Sequence, residues 1–384
     1  MTETDRLLRR YPEAGGAQRL LSISPRPFSA ASVVATPKGN VFVKRHHRSI
    51  RDREGLLEEH QFIAHLTAVQ WDDGLPLVPA VLADADGETA AMDGEWTYEV
   101  HRVARGVDLY EQALSWTPFL SSEHAHAAGR AMAKLHRAAM GYEAPARRSG
   151  MLVTSFSIFA GDGRNDDPVW RMEAFLGVRP QLRAYAEKRD WRASFDALFL
   201  PLYDALSPWL PYLLPLWTHN DFHASNLMWT NGSEDAQVAA IIDFGLADRT
   251  NAIHDLATAI ERNVVEWLRV SETGAEIVHL DHLEALLAGY EELHQLSYEE
   301  ARALVAMLPL VHCEFALSET DYFLSVLQDE AKAWLAYEGY FVAHAEWFQS
   351  AQGRALMKHM ERWAECHERS RMTAFVAPGS EAGR

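Results

Sequence analysis

The chain begins with alternation. In "ASVVAT" (31–36) and "NVFVKR" (40–45) apolar and polar positions alternate with the period of two that a half-buried strand needs. The intervening "PKGN" has the composition of a hairpin turn, and residues 19–45 as a whole read as strands. The period then changes. In "DREGLLEEHQFIAHLTAV" (52–69), Leu56, Glu59, Phe62, Ile63 and Leu66 recur at helical spacing. "LPLVPAVLAD" and "EWTYEVHRV" return to a strand pattern around the turn signal "DADG". The first hundred residues therefore predict a small α+β lobe.

From residue 121 the pattern turns helical. "SSEHAHAAGRAMAKLHRAAM" has a Ser-rich start and an apolar stripe, and residues 254–270 and 280–365 are mostly helical by period. One strand-like run, "AQVAAIID", interrupts them. The stretch 149–170, with "GDGRNDDP", reads as a long loop or lid, and 373–384 as a frayed tail. The expected organisation is a β-rich lobe with its linker over 1–103, a helical lobe over 104–372, and the tail.

Composition narrows the function. A chain of 384 residues exceeds what one core usually accommodates, which agrees with two lobes. A formal net charge of −18 repels nucleic acid and anionic membrane surfaces, and favours neutral or cationic partners. Cys313 and Cys366 are too few and too far apart for a disulfide framework, so reduced thiols are expected. No apolar signal segment opens the chain and no run of 18 apolar residues occurs, so a cytoplasmic location is the expectation.

The candidate chemistry lies in "LWTHNDFHASNLMW" (216–229). His219, Asp221 and His223 have the spacing of ligands to one hydrolytic metal, but a zinc site needs three or four convergent ligands with outer support. A hydrolase also leaves the neighbouring residues without a role. Asn226 follows Asp221 closely, and "DFG" (Asp243, Phe244, Gly245) follows after the strand "AAII". Phosphoryl transfer from Mg-ATP requires this order. One carboxylate accepts the proton of the attacking hydroxyl, while an Asn and a second carboxylate hold magnesium, a hard ion that prefers oxygen. A cation for the nucleotide phosphates is then expected on an early strand, where Lys44 stands in an apolar alternating run. Glu59, on the apolar side of the following helix, is the expected partner of Lys44.

"HNDFHASN", "IIDFG" and "HDLA" together resemble the aminoglycoside phosphotransferase and choline kinase family, whose pattern is matched at His219, Asp221, Asn226, Asp243 and Asp255. "AGRAMAKLH" (128–136) is similar to the first large-lobe helix of that family. "LEEHQF" resembles the corresponding helix of its stress-response kinase and type II homoserine kinase branches. The resemblance implies a bilobal protein-kinase-like α+β fold and an ATP- and Mg2+-dependent kinase. It implies Asp221 as catalytic base, Asn226 and Asp243 as magnesium ligands, Lys44 on the phosphates, Glu59 holding Lys44, His219 as scaffold and Asp255 bracing the loop. It places segment 98–103, with Glu99, His101 and Val103, at the interlobe linker whose backbone meets adenine.

Three departures stand out. The phosphate-covering stretch "SPRPFSAAS" lacks Gly-x-Gly, leaving Ser29 or Ser32 as phosphate donors. Asn220 stands where Gly is usual and Phe222 where Leu is common, which is read as bearing on the substrate rather than the chemistry. In the back third the family places acceptor-lining helices, so Glu314, Glu319, Asp321, Tyr322 and Trp347 are the candidates for holding the acceptor. Only eleven residues separate Asp243 from Asp255, little for docking a peptide. A small acceptor (amino sugar, aminoglycoside, amino alcohol or hydroxy amino acid) is expected, before a stress-response-type protein Ser/Thr kinase, a hydrolase or a pseudokinase.

Overall fold

The computed structural model describes residues 2–375 except 27, 72–73, 149, 161–166 and 273. Most of "GDGRNDDP", and 376–384 of the expected tail, lie outside the described residues. A short helix α1 (Thr2–Leu8) precedes a five-stranded antiparallel sheet ordered β1-β2-β3-β5-β4. Its strands are β1 (Arg19–Arg26), β2 (Ser29–Thr36), β3 (Gly39–His47), β4 (Ala90–Asp93) and β5 (Trp96–Arg102). The hairpin expected at Pro37 joins β2 to β3, with Thr36 opposite Gly39. Helix α2 (Arg53–Ala68) lies between β3 and β4, capped by Asp52, whose side chain accepts from the Gly55 amide.

The period of two gives this sheet two unlike faces. Val41 and Val43 of β3, with Tyr98 and Val100 of β5, pack with Leu7, Leu8 and Tyr11 at the N-terminus. The alternate positions, Lys44, His46, Thr97, Glu99 and His101, are polar. The apolar stripe of α2 serves the other lobe: Phe62 packs on Trp217 (5.3 Å) and Phe244 (6.0 Å). Helix α2 thereby ties the lobes together.

The segment "LPLVPAVLAD" does not form the predicted strand. Pro76 and Pro79 remove ladder donors, and only Leu82 N–H to Val100 O (2.7 Å) and Arg102 N–H to Ala80 O (3.0 Å) pair it with β5. Beyond β5 the chain crosses to the large lobe, where Val107 exchanges two backbone bonds with Trp229. Gly106, at φ +102°, permits this approach: a Cβ there would stand 2.5 Å from the Trp229 carbonyl oxygen.

In the large lobe α3 (Ser122–Ala139) is capped by Ser121 and crosses the Leu280–Glu291 helix at close range. A Cβ on Gly129 or Gly289 would stand 2.0 Å from the opposing backbone. Two short ribbons, β6 (Pro215–Thr218) with β9 (Asp248–Asn251) and β7 (Leu227–Trp229) with β8 (Val238–Ile241), hold the central loops. The helix Ala252–Val264 follows β9 directly and is almost wholly buried. Helices fill the rest, ending in Ala351–Phe375, which runs past the expected boundary at 372. Among the described residues no helix is long and apolar enough to cross a membrane.

Candidate active site

The loop after β6 is built around Asp255, fully buried in the first turn of the Ala252–Val264 helix. Its carboxylate accepts from the backbone N–H of His219 (3.1 Å) and Asn220 (2.7 Å), and from His136 Nε2 of α3 (3.0 Å). Tyr290 completes the chain, 2.8 Å from His136 Nδ1. Burial opposes the charge on Asp255, but the bonds from His136 and the loop amides outweigh it and hold its pKa below the usual range.

His219 is buried with both ring nitrogens engaged. Nε2–H donates to the Ile242 carbonyl (2.9 Å) and Nδ1 accepts from the Asp221 N–H (3.2 Å). It thus links the loop to the residue before Asp243. His223 is likewise committed, with Nε2 3.0 Å from Asn226 Nδ2 and Nδ1 2.8 Å from Ser225 Oγ. The His219–Asp221–His223 spacing therefore makes no metal cluster: alternate residues of this loop point to different partners.

Asn220 has φ +60° and is buried. The usual Gly is replaceable here because Asn tolerates the left-handed region. Its Oδ1 accepts from Thr250 Oγ1 (2.9 Å) and His254 Nδ1 (3.0 Å). Phe222 is fully buried in the core. Both departures fasten the loop to its frame.

Asp221 is partly exposed. His223 Nε2 lies 3.5 Å from it and Arg262 3.8 Å. Burial works against its ionisation, yet these cationic and hydrogen-bonding neighbours prevail and keep the carboxyl far below its ordinary range. The Asn226 amide nitrogen donates to the Asp221 carbonyl (2.9 Å), which leaves its oxygen as the available donor atom. Asp243, at φ +63°, accepts from Lys44 Nζ at 2.7 Å, and the ammonium pulls its pKa down to about 2. Asp221, the Asn226 amide, Asp243 and Lys44 thus meet where the lobes face one another.

Glu59 is not the bonded partner of Lys44. Its carboxylate takes Arg51 Nη1 at 2.5 Å, with Arg147 3.9 Å away. Arg51 and Arg147 both donate to the Gly245 carbonyl (2.7 and 2.8 Å). Two buried guanidiniums take this carboxylate while the Lys44 ammonium is held by Asp243, and the trio clamps the turn after Asp243. Arg51 and Arg147 were not legible as functional, since nothing in "HRSIRDRE" or "APARRSG" separates them from surface arginines.

The linker reading also shifts. Residues 96–102 form β5, whose backbone bonds are taken by β3 on one side and by β4 and residues 80–82 on the other. The backbone of Glu99 and His101 is therefore spent in the sheet, and only from Val103 onward does the chain leave it. Ser32 turns its hydroxyl to the Val43 carbonyl (3.4 Å), while Ser29 opens β2 opposite Arg26 of β1, where those two strands form a hairpin.

Of the acceptor candidates, Glu319 is half-buried and is influenced electrostatically by both Arg262 and Asp221; burial raises its pKa. Glu314 is fully committed elsewhere, to Ser155, Ser157 and the Ile158 amide. Asp321 faces Arg179 (4.0 Å), and Trp347 is core, edge-on to Trp267 (4.9 Å). Tyr322 is half-buried against Phe323. These helices turn most of their polar groups inward, which helical spacing alone does not reveal. Arg262, missed in the sequence, is buried among the rings of Trp116, Phe315 and Tyr340, 5.0–5.8 Å away.

A small antiparallel lobe over a helical one, with a Lys, an Asp–Asn loop and a second Asp at their junction, defines a bilobal kinase-like phosphotransferase, an enzyme that passes phosphate to a hydroxyl. The model of the phosphotransferase enzyme family matches residues 28–309, and the chain belongs to that family. Comparison with curated proteins finds no match. Several solved structures are similar. One is an aminoglycoside phosphotransferase from Alicyclobacillus acidocaldarius subsp. acidocaldarius DSM 446, at 18% identity over 93% of this chain and 94% of that one, TM-score 0.49. A second is a thermostable mutant of aminoglycoside phosphotransferase APH(4)-Ia with AMP-PNP and hygromycin B, at 15% identity over 90% and 98%, TM-score 0.50. Spectinomycin phosphotransferase APH(9)-Ia with ADP and spectinomycin matches at 12% identity over 90% and 97%, TM-score 0.49.

Proposed function

We propose that this enzyme transfers the γ-phosphate of ATP to a hydroxyl of a small, neutral or cationic acceptor. The observation that carries the reading is the 2.7 Å contact of Lys44, from the small lobe, with Asp243 of the large lobe, beside the Asp221–Asn226 pair. Asp221 is ionised at neutral pH and only partly exposed, as a base that takes a proton from an incoming hydroxyl must be. His219 and Asp255 hold its backbone. Asn226 and Asp243 offer an amide oxygen and a carboxylate, the donor set that suits Mg2+. When bound, the ion would neutralise charge on the phosphates. Lys44 exchanges its contact with Asp243 for phosphate oxygens as nucleotide enters. Adenine is assigned to the backbone after Arg102, from Val103 to Gly106, and Ser29 at the hairpin to the phosphates.

A small acceptor is supported by the short path between Asp243 and Asp255 and by the similar APH(4)-Ia structure, which holds hygromycin B. Glu319 beside Asp221 is the acidic residue placed to receive an amine of the acceptor. The test is ADP release measured over amino sugars, aminoglycosides, amino alcohols and hydroxy amino acids, with Asp221→Asn as control. The variant is expected to bind Mg-ATP as the parent does and to lose transfer. The proposal fails if the best acceptor is a peptide or an anionic molecule, or if Asp221→Asn still turns over.

A further inference from the structure

Behind Lys44 lies a second group of reactive side chains that phosphoryl transfer does not use. Glu99 of β5 is 1% exposed, His60 of α2 3% and His101 of β5 8%. His101 Nε2 stands 2.7 Å and His60 Nε2 3.1 Å from the same oxygen, Glu99 Oε2. One ligand atom from each of the three residues lies within 4.8 Å of the others. An outer ring supports them: His46 Nε2 sits 2.9 Å from Glu99 Oε1, and Thr89 Oγ1 3.0 Å from His60 Nδ1. These residues come from α2, β3, β5 and the approach to β4, so the cluster is assembled by tertiary structure alone.

We propose that His60, Glu99 and His101 form a binding site for one divalent transition-metal ion of the zinc type, distinct from the magnesium position at Asn226 and Asp243. Two imidazole nitrogens and one carboxylate oxygen are a donor set that zinc accepts and magnesium does not favour. Thr89 and His46 supply the outer contacts that orient metal-bound imidazole and carboxylate. Two ligands on a tetrahedral zinc, each about 2.0–2.1 Å from it, stand about 3.3 Å apart. Two of the three separations, at 2.7 and 3.1 Å, lie within a few tenths of an ångström of the shared-metal value or a little short of it, and the third does not exceed 4.8 Å. Imidazole and carboxylate must be deprotonated at the ligating atom to hold a metal, so binding competes with protons and weakens as pH falls. It would also pin α2 to the sheet, next to the strand that carries Lys44.

The experiment uses the full chain, stripped with EDTA and held in excess Mg2+. Zn2+ is titrated by calorimetry, bound metal is counted by elemental analysis, and Co2+ is added for its tetrahedral visible absorption. One equivalent of zinc is expected, with the cobalt spectrum and with affinity that weakens as pH falls. His60→Asn and His101→Asn should each abolish it, and His46→Asn, which touches only the outer contact, should weaken it about 10-fold. His279→Asn is the control for the more exposed His279–Asp281–His282 group and should change nothing. Circular dichroism establishes that each variant is folded; were the His60 and His101 variants unfolded, His46→Asn still decides. The proposal is overturned if the folded parent takes up no zinc in Mg2+, if the cluster variants bind as the parent does, or if only His279→Asn loses the ion. None of these outcomes depends on the acceptor or on phosphoryl transfer.

Discussion

Replacing Asp255 by Asn removes a charge that no solvent reaches and tests what holds the catalytic loop. The carboxylate now accepts three bonds, at 3.1, 2.7 and 3.0 Å, from two loop amides and His136. An Asn presents one acceptor oxygen, and its NH2 must face a donor. The His219 and His136 bonds share Oδ2, so at best one buried N–H, that of Asn220 on Oδ1, loses its acceptor and is opposed by the NH2, at a cost of about 1–3 kcal/mol. Because the group released belongs to the loop, the loss is local. Hydrogen exchange read by mass spectrometry on peptides covering 216–229 is the assay. Exchange of these amides should accelerate about 10–10²-fold, while peptides of β3 and β5 keep their protection. Unchanged exchange at 216–229 in the variant would refute the bracing role, and equal acceleration in both lobes would show a general loss of fold instead.

Three further outcomes are expected. His223→Ala removes one of the contacts that fix the Asn226 amide nitrogen, leaving its bond to the Asp221 carbonyl, and should weaken Mg-ATP binding by up to about 10-fold by calorimetry, as loss of an outer support does; equal affinity would show that the Asp221 carbonyl holds the amide by itself. His254 is buried and neutral, its pKa pushed down to about 4 from 6.5. The unfolded chain therefore takes up the extra proton first, and stability should fall as pH drops from 6.5 toward 4, by up to about 3 kcal/mol. Urea unfolding against pH should show the slope, and His254→Gln should flatten it. Gly106→Ala places a Cβ against the Trp229 carbonyl at positive φ, and should cost about 1–3 kcal/mol of thermal stability without altering helix content.

Much of the site was legible in sequence because its chemistry is concentrated in short stretches. Asp221, Asn226 and Asp243 lie on two loops flanking one strand pair, and their order survives translation into space. The hairpin at Pro37 and the helices α2 and α3, the latter with its Ser-rich start, followed from turn composition and periodicity alone. Chain-local rules also account for Asn220, once its positive φ is known. The partners of charged groups obeyed no such rule. Lys44 meets Asp243 across 199 positions and Glu314 meets Ser155 across 159. Which carboxylate neutralises which cation depends on distance and burial after packing. Helical spacing puts Glu59 on the apolar side of α2, but only the nearness of Arg51 and Arg147 decides its contact. The same holds for His60 on α2 and the Glu99–His101 pair on β5, ordinary residues in two separate stretches of sequence. By itself the sequence determined most of the elements and the order of the candidate site residues, because these rest on local periodicity and spacing. Tertiary structure alone decided the pairings, because electrostatic choices in a buried site are made among groups that the chain brings together last.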